Sequence, residues 1–144
     1  MTLTPATQEM HDKAVLPPNQ KWHTNPDGSR VAVPGSTIIH GSLVTIEPDV
    51  KLGQEVQLFG IVHLLAESEI GNWCRINGCT IQSSRIGDFS IVDERSDIRG
   101  SQLGQSNWVW ADAIVKRSTS GKGATIGRAV VEDATIDENE YYTG

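Results

Sequence analysis

The chain contains 144 residues, with 18 acidic and 12 basic side chains, a net charge of −6, 14 glycines and only 6% aromatic residues. This length predicts a single domain, and the acidic balance argues against nucleic-acid binding, which needs a concentrated basic face. The segment 1–13 lacks the apolar stretch of a secretory signal, and no apolar run is long enough to span a membrane. We therefore expect a soluble protein, in the cytoplasm or in a virion, that binds neither nucleic acid nor membranes.

Residues 1–33 are predicted to form an extended, proline-rich arm. Pro5, Pro17, Pro18 and Pro26 interrupt the segment, and NPDG at 25–28 is a turn signal. The segment has neither a strand nor a helix period, so it should contain at most one hairpin or a short helical turn. We expect the arm to dock on its own domain or to contact neighbours in a larger protein assembly.

From Pro34 onward the sequence repeats every six residues, as PGSTII, HGSLVT, IEPDVK, LGQEVQ, LFGIVH, LLAESE, IGNWCR and INGCTI. The first position is mainly a large aliphatic residue: Pro34, His40, Ile46, Leu52, Leu58, Leu64, Ile70 and Ile76. The fifth position is small or β-branched: Ile38, Val44, Val50, Val56, Val62, Ser68, Cys74 and Thr80. The repeat therefore has two defined columns of side chains.

A six-residue period predicts a left-handed parallel β-helix. Each hexad supplies a short strand and a turn, and three hexads close a triangular coil of about 18 residues. The first and fifth positions should point into the narrow interior, while Gly53 and Gly71 relieve crowding at the bends. We predict an all-β fold, with residues 34–137 forming about five to six triangular coils after the N-terminal arm.

After Thr80 the rhythm continues with shorter steps. Ile86, Val92 and Ile98 resume the aliphatic column, and the steps shorten near residues 82–85 and again before Leu103. The polar stretch RSTSGKGA at 117–124 is predicted to leave the wall as a loop. Residues 138–144 are predicted to form an acidic C-terminal tail.

Cysteine and histidine spacing gives no metal site. Cys74 and Cys79 are too far apart for a CxxC pair, and no second pair completes a zinc site. We predict that both are reduced thiols packed in or against the coil. The γ-class carbonic anhydrases share the predicted fold and use two histidines five residues apart on one chain, a pair that this sequence lacks.

The hexad columns resemble the hexapeptide-transferase superfamily, whose members are typically homotrimers of left-handed β-helices and include many acyltransferases. Within it, residues 79–127 are similar to the acetyltransferase half of bacterial N-acetylglucosamine-1-phosphate uridyltransferase. The similarity is carried by CTIQSSRIGDFSIVDERSDIRGSQLGQ, SNWVWADAIVKR and STSGKGATIG. The resemblance implies the β-helix fold, a trimer and, in most members, transfer of an acyl group.

The same resemblance places a general-base histidine seven residues before the valine that precedes a basic pair. Aligned on Lys116 and Arg117, that position holds Trp108, and the family's asparagine nearby meets Ala111. An indole cannot accept a proton, so Trp108 cannot act as the base. Only the basic pair is retained.

Two histidines lie in the repeat region. His40 takes an inward first-column position, where it should cap the top of the core. His63 takes the outward sixth position of LFGIVH, near a corner, and this superfamily places its bases at corners. His63 is therefore the candidate catalytic residue.

Two further groups are candidates for binding. Lys116, Arg117 and Lys122 flank a glycine-containing stretch whose backbone amides could hold a phosphate. Trp73, Trp108 and Trp110 cannot fit inside a narrow coil, so we expect exposed indoles that form a subunit or partner interface. Stacking of a glycan or another ligand is the alternative use of these rings.

Three functions are compatible with these features. The favoured hypothesis is a non-enzymatic homotrimeric structural protein without a cofactor, such as a virion decoration or tail component or a scaffold, whose arm contacts neighbours. One alternative is an acyltransferase that uses an acyl-CoA donor, with His63 as the base and Lys122 near coenzyme A. The other is a ligand-binding regulatory β-helix.

Overall fold

The computed structural model describes Leu16 and residues 18–143, and in that part the chain forms strands and no helix. The main body is a left-handed parallel β-helix, as predicted. The coils form a triangular prism, and one column of residues on its first side shows how they stack. Each residue of this column is paired in register with the next one: Ile38, Gln57, Arg75, Ile91, Trp108, Thr125 and Tyr141. These partners lie on successive coils, and the helix has about six turns.

The three sides of the prism are built from short parallel strands. Side 1 contains the first halves of β3 (Ile38–Ile46) and β5 (Gln57–Leu65), with β7 (Arg75–Asn77), β10 (Ile91–Val92), β13 (Trp108–Val109), β16 (Thr125–Ile126) and β19 (Tyr141–Tyr142). Side 2 contains the second halves of β3 and β5, with β8 (Thr80–Gln82), β11 (Asp97–Arg99), β14 (Ile114–Lys116) and β17 (Val130–Glu132). Side 3 contains β4 (Lys51–Leu52), β6 (Glu69–Ile70), β9 (Arg85–Ile86), β12 (Gln102–Leu103), β15 (Thr119–Ser120) and β18 (Thr135–Ile136).

The coils shorten toward the C-terminus. On side 3, Lys51 pairs with Glu69, an interval of three full hexads, whereas Glu69 pairs with Arg85 over a shorter interval. The later coils on this side are also shorter than three hexads. A five-residue step therefore replaces a hexad at several corners, which explains the irregular rhythm after Thr80.

Two kinds of side chain fill the interior: the large aliphatic residue of each hexad and the smaller residue two positions before it in the sequence. Leu58, Leu64, Ile76 and Ile81 are fully buried. The predicted columns need three corrections. Thr37, and not Ile38, is buried in the first hexad, and Ile38 pairs with Gln57 in an outward column. Cys79, and not Thr80, is buried in the last hexad, because the first five-residue step falls there. His40 is exposed and does not cap the core, because the register shifts between His40 and Leu43; its ring stacks on Phe59 at 5.3 Å.

Stacked serines occupy one inner corner. The Ser84 hydroxyl accepts the Ser101 amide at 3.1 Å, and the Ser101 hydroxyl accepts the Ser118 amide, also at 3.1 Å. Each hydroxyl in turn donates to a carbonyl of its own corner, for example Ser101 to Arg99 at 3.0 Å. A buried polar group is tolerated when it is hydrogen-bonded, so serine serves here as an interior residue.

An antiparallel hairpin closes the first coil. It consists of β1 (Gln20–Thr24) and β2 (Arg30–Pro34), and its Val33 is buried in the core cluster. The Asn25 side chain donates to the Ile46 carbonyl at 2.9 Å and accepts the Ile46 amide at 2.8 Å. This part of the arm therefore docks on its own chain, while residues 1–15 and 17, the rest of the predicted arm, lie outside the described residues.

Two boundaries near the C-terminus differ from the prediction. Residues 117–124 do not form a loop: they contain β15, which pairs with β12 and β18, and Ser118 and Ala124 are buried. The inward serine hydroxyls are satisfied by carbonyls and amides, so a polar stretch can line the coil. Residues 138–143 are not a separate tail, because Tyr141 and Tyr142 pair with β16 in the last coil.

Candidate functional site

His63 lies in an open groove of about 490 Å³ where side 1 turns into side 2. Gly60 makes the turn with a positive φ of 76°, and β5 then carries His63 outward on side 2. Thr45 and Thr80 flank it on the coils before and after. The ring is half-buried and has no hydrogen-bond partner within the described part of the chain. Its nitrogens are therefore free to bind a substrate hydroxyl or amine.

The far side of the groove carries charged residues. Glu94, Arg95 and Asp97 line it, two coils below His63. Hydrogen bonds from Arg95 hold the pKa of the Asp112 carboxyl below its usual value, with an Arg95 Nε to Asp112 Oδ1 distance of 2.7 Å. Asp97 accepts a hydrogen bond from Arg99 Nε at 2.8 Å. Since Thr80 lies between them on the sheet, His63 and Asp97 do not form a dyad.

Lys116 lies on the same side of the prism as His63. His63, Thr80, Asp97 and Ile114 are paired in register on four successive coils. Lys116 lies two residues after Ile114 on the same strand. Strands within a sheet are about 4.8 Å apart, so Lys116 is roughly 14 Å from His63 along the helix axis. Lys116 has no ion-pair partner among the residues that the structure describes.

The predicted anion-binding set is not brought together. Arg117 lies at the corner between sides 2 and 3, where its Nε donates to Asp133 Oδ1 at 2.8 Å. These hydrogen bonds lower the pKa of Asp133, and Glu132 adds a second carboxylate 3.6 Å from Arg117. Lys122 is exposed at the next corner, beyond β15. The glycine-rich loop on which the site was predicted is not formed, and Lys116 alone shares a side with His63.

The tryptophans occupy different positions around side 1. Trp73 lies at the corner between sides 3 and 1 and is 59% exposed. Trp108 lies in the middle of the side and is 45% exposed, whereas Trp110 is half-buried at the opposite edge. Trp108 and Trp110 contact each other, with ring centroids 5.6 Å apart. Exposed indoles are thus confirmed for Trp73 and Trp108 but not for Trp110.

Two bulky residues at the corner of Trp73 adopt a left-handed backbone. Trp73 has a φ of 61° and Phe89, on the next coil, has a φ of 62°. Large side chains rarely adopt this conformation because Cβ then crowds the carbonyl oxygen. Both rings are exposed, Phe89 to 60%. The equivalent residues of other coils, Glu55, Ser106 and Asn139, also have a positive φ, so this conformation belongs to the turn of the fold.

Several residues of these sites were not identified from the sequence. Thr80 and Asp97 are aligned with His63 on the next two coils, each of which is shorter than three full hexads. A search at the strict three-hexad spacing misses them, and a search that allows one five-residue step in each coil could have found them. Phe89 and Tyr141 were missed because neither falls in a conspicuous motif, and their positions depend on the register of distant coils.

Two negative findings apply to the described residues. In Leu16 and 18–143, no group of three or more His, Cys, Asp and Glu side chains is arranged to hold a metal ion. Within the same range, no helix is long and apolar enough to cross a membrane.

Comparison with known proteins finds similarity to part of a longer protein. No protein-family profile matches it. It is 31% identical over 112 residues to Bifunctional protein GlmU of Lactobacillus helveticus, covering 73% of this chain and 23% of that protein. It is 30% identical over 120 residues to GlmU of Clostridioides difficile, covering 78% and 26%. The chain thus spans about a quarter of the length of these relatives.

Among solved structures, the acetyltransferase domain of PglB from Neisseria gonorrhoeae matches with a TM-score of 0.56 and 17% identity. This match covers 70% of the chain and 48% of the PglB domain, and it supports the fold. The chain belongs to the hexapeptide-repeat superfamily of left-handed parallel β-helices. Within that superfamily it is similar to the acetyltransferase half of GlmU.

These relatives correct the favoured functional hypothesis. A non-enzymatic structural protein, such as a virion component, was expected from the missing base at Trp108, the long N-terminal arm and the predicted contact surface. That hypothesis is wrong, because the relatives at 31% and 30% identity are GlmU proteins.

Proposed function

We propose that this protein is an acyltransferase that uses an acyl-CoA donor, with His63 as the general base. The observation that carries the proposal is the half-buried, unpaired imidazole of His63 in an open groove of a β-helix similar to GlmU. A neutral imidazole can remove the proton from an amine or hydroxyl as it attacks a thioester carbonyl. The acyl group then passes to the acceptor and the thiol of coenzyme A is released.

Lys116 is the candidate contact for the donor. Coenzyme A is long and carries phosphates, so a cation some distance from the base is needed to hold it. Lys116 lies on the side of His63, about 14 Å away along the axis, and forms no ion pair in the described chain. Lys122, assigned to this role from the sequence, lies beyond β15 at another corner.

The test is release of free thiol from acetyl-CoA in the presence of a panel of amino sugars. Removing a general base lowers the rate by about 10²–10⁴, so His63→Ala should abolish measurable turnover while leaving the fold intact. His40→Ala is the matched control, because His40 lies on side 1 of the preceding coil, stacks on Phe59 and does not line the groove. Lys116→Ala should raise KM for acetyl-CoA several-fold, and Lys122→Ala should not.

Each outcome decides a separate part of the proposal. Full activity of His63→Ala would remove His63 from the mechanism. An effect of Lys122→Ala equal to that of Lys116→Ala would place the donor elsewhere. Absence of turnover with every acceptor, including simple hydroxylamine, would overturn the enzyme proposal.

We also infer that the protein self-associates, with a homotrimer as the expected form. Support comes from Trp73 and Phe89, two large rings that are exposed at the same corner on adjacent coils. Large exposed apolar surfaces of this kind mark contact sites. Native mass spectrometry should show a trimer that Trp73→Ser with Phe89→Ser dissociates, and a monomeric native chain would overturn the inference.

A further inference from the structure

We propose that Trp108, Trp110 and Tyr141 form a binding site for a neutral oligosaccharide on side 1. The proposal rests on the geometry of this surface and does not depend on the acyltransferase proposal. The site lies near the C-terminal end of the helix, and His63 lies around the corner on side 2.

The three rings form one cluster. Trp108 and Trp110 project from the same face of β13 and its extension, with centroids 5.6 Å apart at 60°. Trp110 and Tyr141 are 5.3 Å apart at 66°, in an edge-to-face arrangement. Tyr141 is 52% exposed and Trp108 45%. The cluster therefore offers two open ring surfaces that are fixed by a third ring between them.

The fold provides room for this cluster. The coil between Trp108 and Tyr141 carries Thr125 and Gly127 at the corresponding outward positions. Tyr141 lies over Gly127, since a Cβ on Gly127 would be 3.3 Å from the Tyr141 hydroxyl. A large residue at either position would separate the two ends of the cluster. The small residues thus let rings two coils apart reach each other.

Polar groups surround the rings. Trp108 Nε1 donates to Asp93 Oδ2 at 2.8 Å, and Asn77 Nδ2 donates to Asp93 Oδ1 at 3.1 Å. Arg75, Asn77, Asp93 and Glu94 line an adjoining recess of about 270 Å³. The Trp110 indole N–H is buried and has no hydrogen-bond partner in the described residues. A buried donor without a partner is unfavourable, and a ligand hydroxyl could satisfy it after a small movement of the rings.

This combination selects the ligand class. The apolar C–H face of a pyranose ring packs on an indole, while its hydroxyls both donate and accept hydrogen bonds from carboxylates, amides and guanidinium groups. Asp93 and Glu94 disfavour an anionic ligand, and the net charge of −6 disfavours nucleic-acid strands. A neutral sugar meets all of these conditions.

The surface continues along the helix axis, which favours a chain of sugars over a single one. Phe59 lies on the coil before Asn77, with Arg75 Cζ 4.7 Å above its ring and His40 stacked at 5.3 Å. Successive coils repeat about every 4.8 Å. An extended oligosaccharide lying parallel to the axis could contact Tyr141, Trp108 and the recess in turn.

The test is binding of chitohexaose, cellohexaose and maltohexaose to the full chain, measured by calorimetry and tryptophan fluorescence. We expect one of the three hexasaccharides to bind. Trp108→Ala and Tyr141→Ala should each raise the Kd for that hexasaccharide at least tenfold. Trp22→Ala is the matched control, since it removes an indole on the N-terminal hairpin, at the other end of the helix, and should leave Kd unchanged. Thermal melting of each variant identifies any loss of affinity that comes from unfolding. Trp108→Phe keeps an aromatic ring and should retain part of the affinity.

Three results would overturn the proposal. The first is no binding of any of the three hexasaccharides at millimolar concentration. The second is equal weakening by Trp22→Ala and Trp108→Ala. The third is a change of native mass in Trp108→Ala, which would assign the cluster to a contact between copies of the chain.

Discussion

The indole N–H of Trp108 donates to the carboxylate of Asp93 on the preceding coil, over a distance of 2.8 Å. Trp108 occupies the position at which the resemblance to uridyltransferases places a basic histidine. The carboxylate that could orient such a ring is therefore present, although the ring itself is an indole. The pair therefore keeps a carboxylate beside this position, while the indole itself cannot act as a base.

Replacing Trp108 with histidine should place an imidazole beside Asp93. A nearby carboxylate favours the charged form of an imidazole, so the pKa of the introduced ring should rise above its ordinary value of about 6.5. NMR titration of the ring protons in Trp108→His measures this pKa. Adding Asp93→Asn should return it toward the ordinary value, and an unshifted pKa in the single variant would show that Asp93 does not face the ring.

Ser101→Ala should destabilise the coil stack. The Ser101 hydroxyl accepts the Ser118 amide and donates to the Arg99 carbonyl, and it is buried. Its removal leaves a buried amide without a partner, which costs about 1–3 kcal/mol. Urea unfolding measures the change. Ser42→Ala, at an exposed serine on β3, should change stability by less than about 0.5 kcal/mol.

Phe89→Asn should raise the stability of the single chain. Asparagine adopts the left-handed conformation more readily than phenylalanine, so the change should contribute about 0.5–1 kcal/mol. Ile91→Asn is the control, because Ile91 lies on a strand and asparagine disfavours strands. A loss of stability in Phe89→Asn, measured below the concentration at which the chain associates, would indicate that the ring supports its own coil.

Arg95→Gln should raise the pKa of Asp112. Hydrogen bonds from Arg95, and then its charge, hold this pKa below the ordinary value of 3.8. Because the folded pKa is lowered, the pair stabilises the fold above the unfolded pKa, and this contribution is lost as the pH falls through the folded pKa. Carboxyl NMR titration measures the shift. Arg99→Gln, which removes the partner of Asp97, should leave Asp112 unchanged.

Both cysteines should react slowly in the folded protein. Burial raises the pKa of Cys74 to about 11 and raises that of Cys79 further. The thiolate is the reactive form, so alkylation at neutral pH should be at least about a hundredfold slower than in urea-unfolded protein. Rapid modification of either thiol without unfolding would contradict the buried positions of both.

The repeat in the sequence determined the class of fold and its approximate number of coils. Large aliphatic residues at Leu58, Leu64, Ile70 and Ile76 can satisfy a six-residue period only by stacking in a triangular prism. The period is local, because each hexad forms its own strand and turn. For this reason the prediction survived even where single positions, such as His40 and Thr80, were assigned to the wrong surroundings.

Only the tertiary structure decided which residues are neighbours. Each five-residue step shifts every later coil by one position, so the partners of His63, Trp108 and Lys116 depend on the sum of all earlier steps. The stretch 117–124 appeared too polar for a wall, yet its serines are satisfied inside the coil by hydrogen bonds from adjacent coils. The sequence determined the repeating unit because that unit is local, whereas the sites join residues on different coils and required the register of the stack.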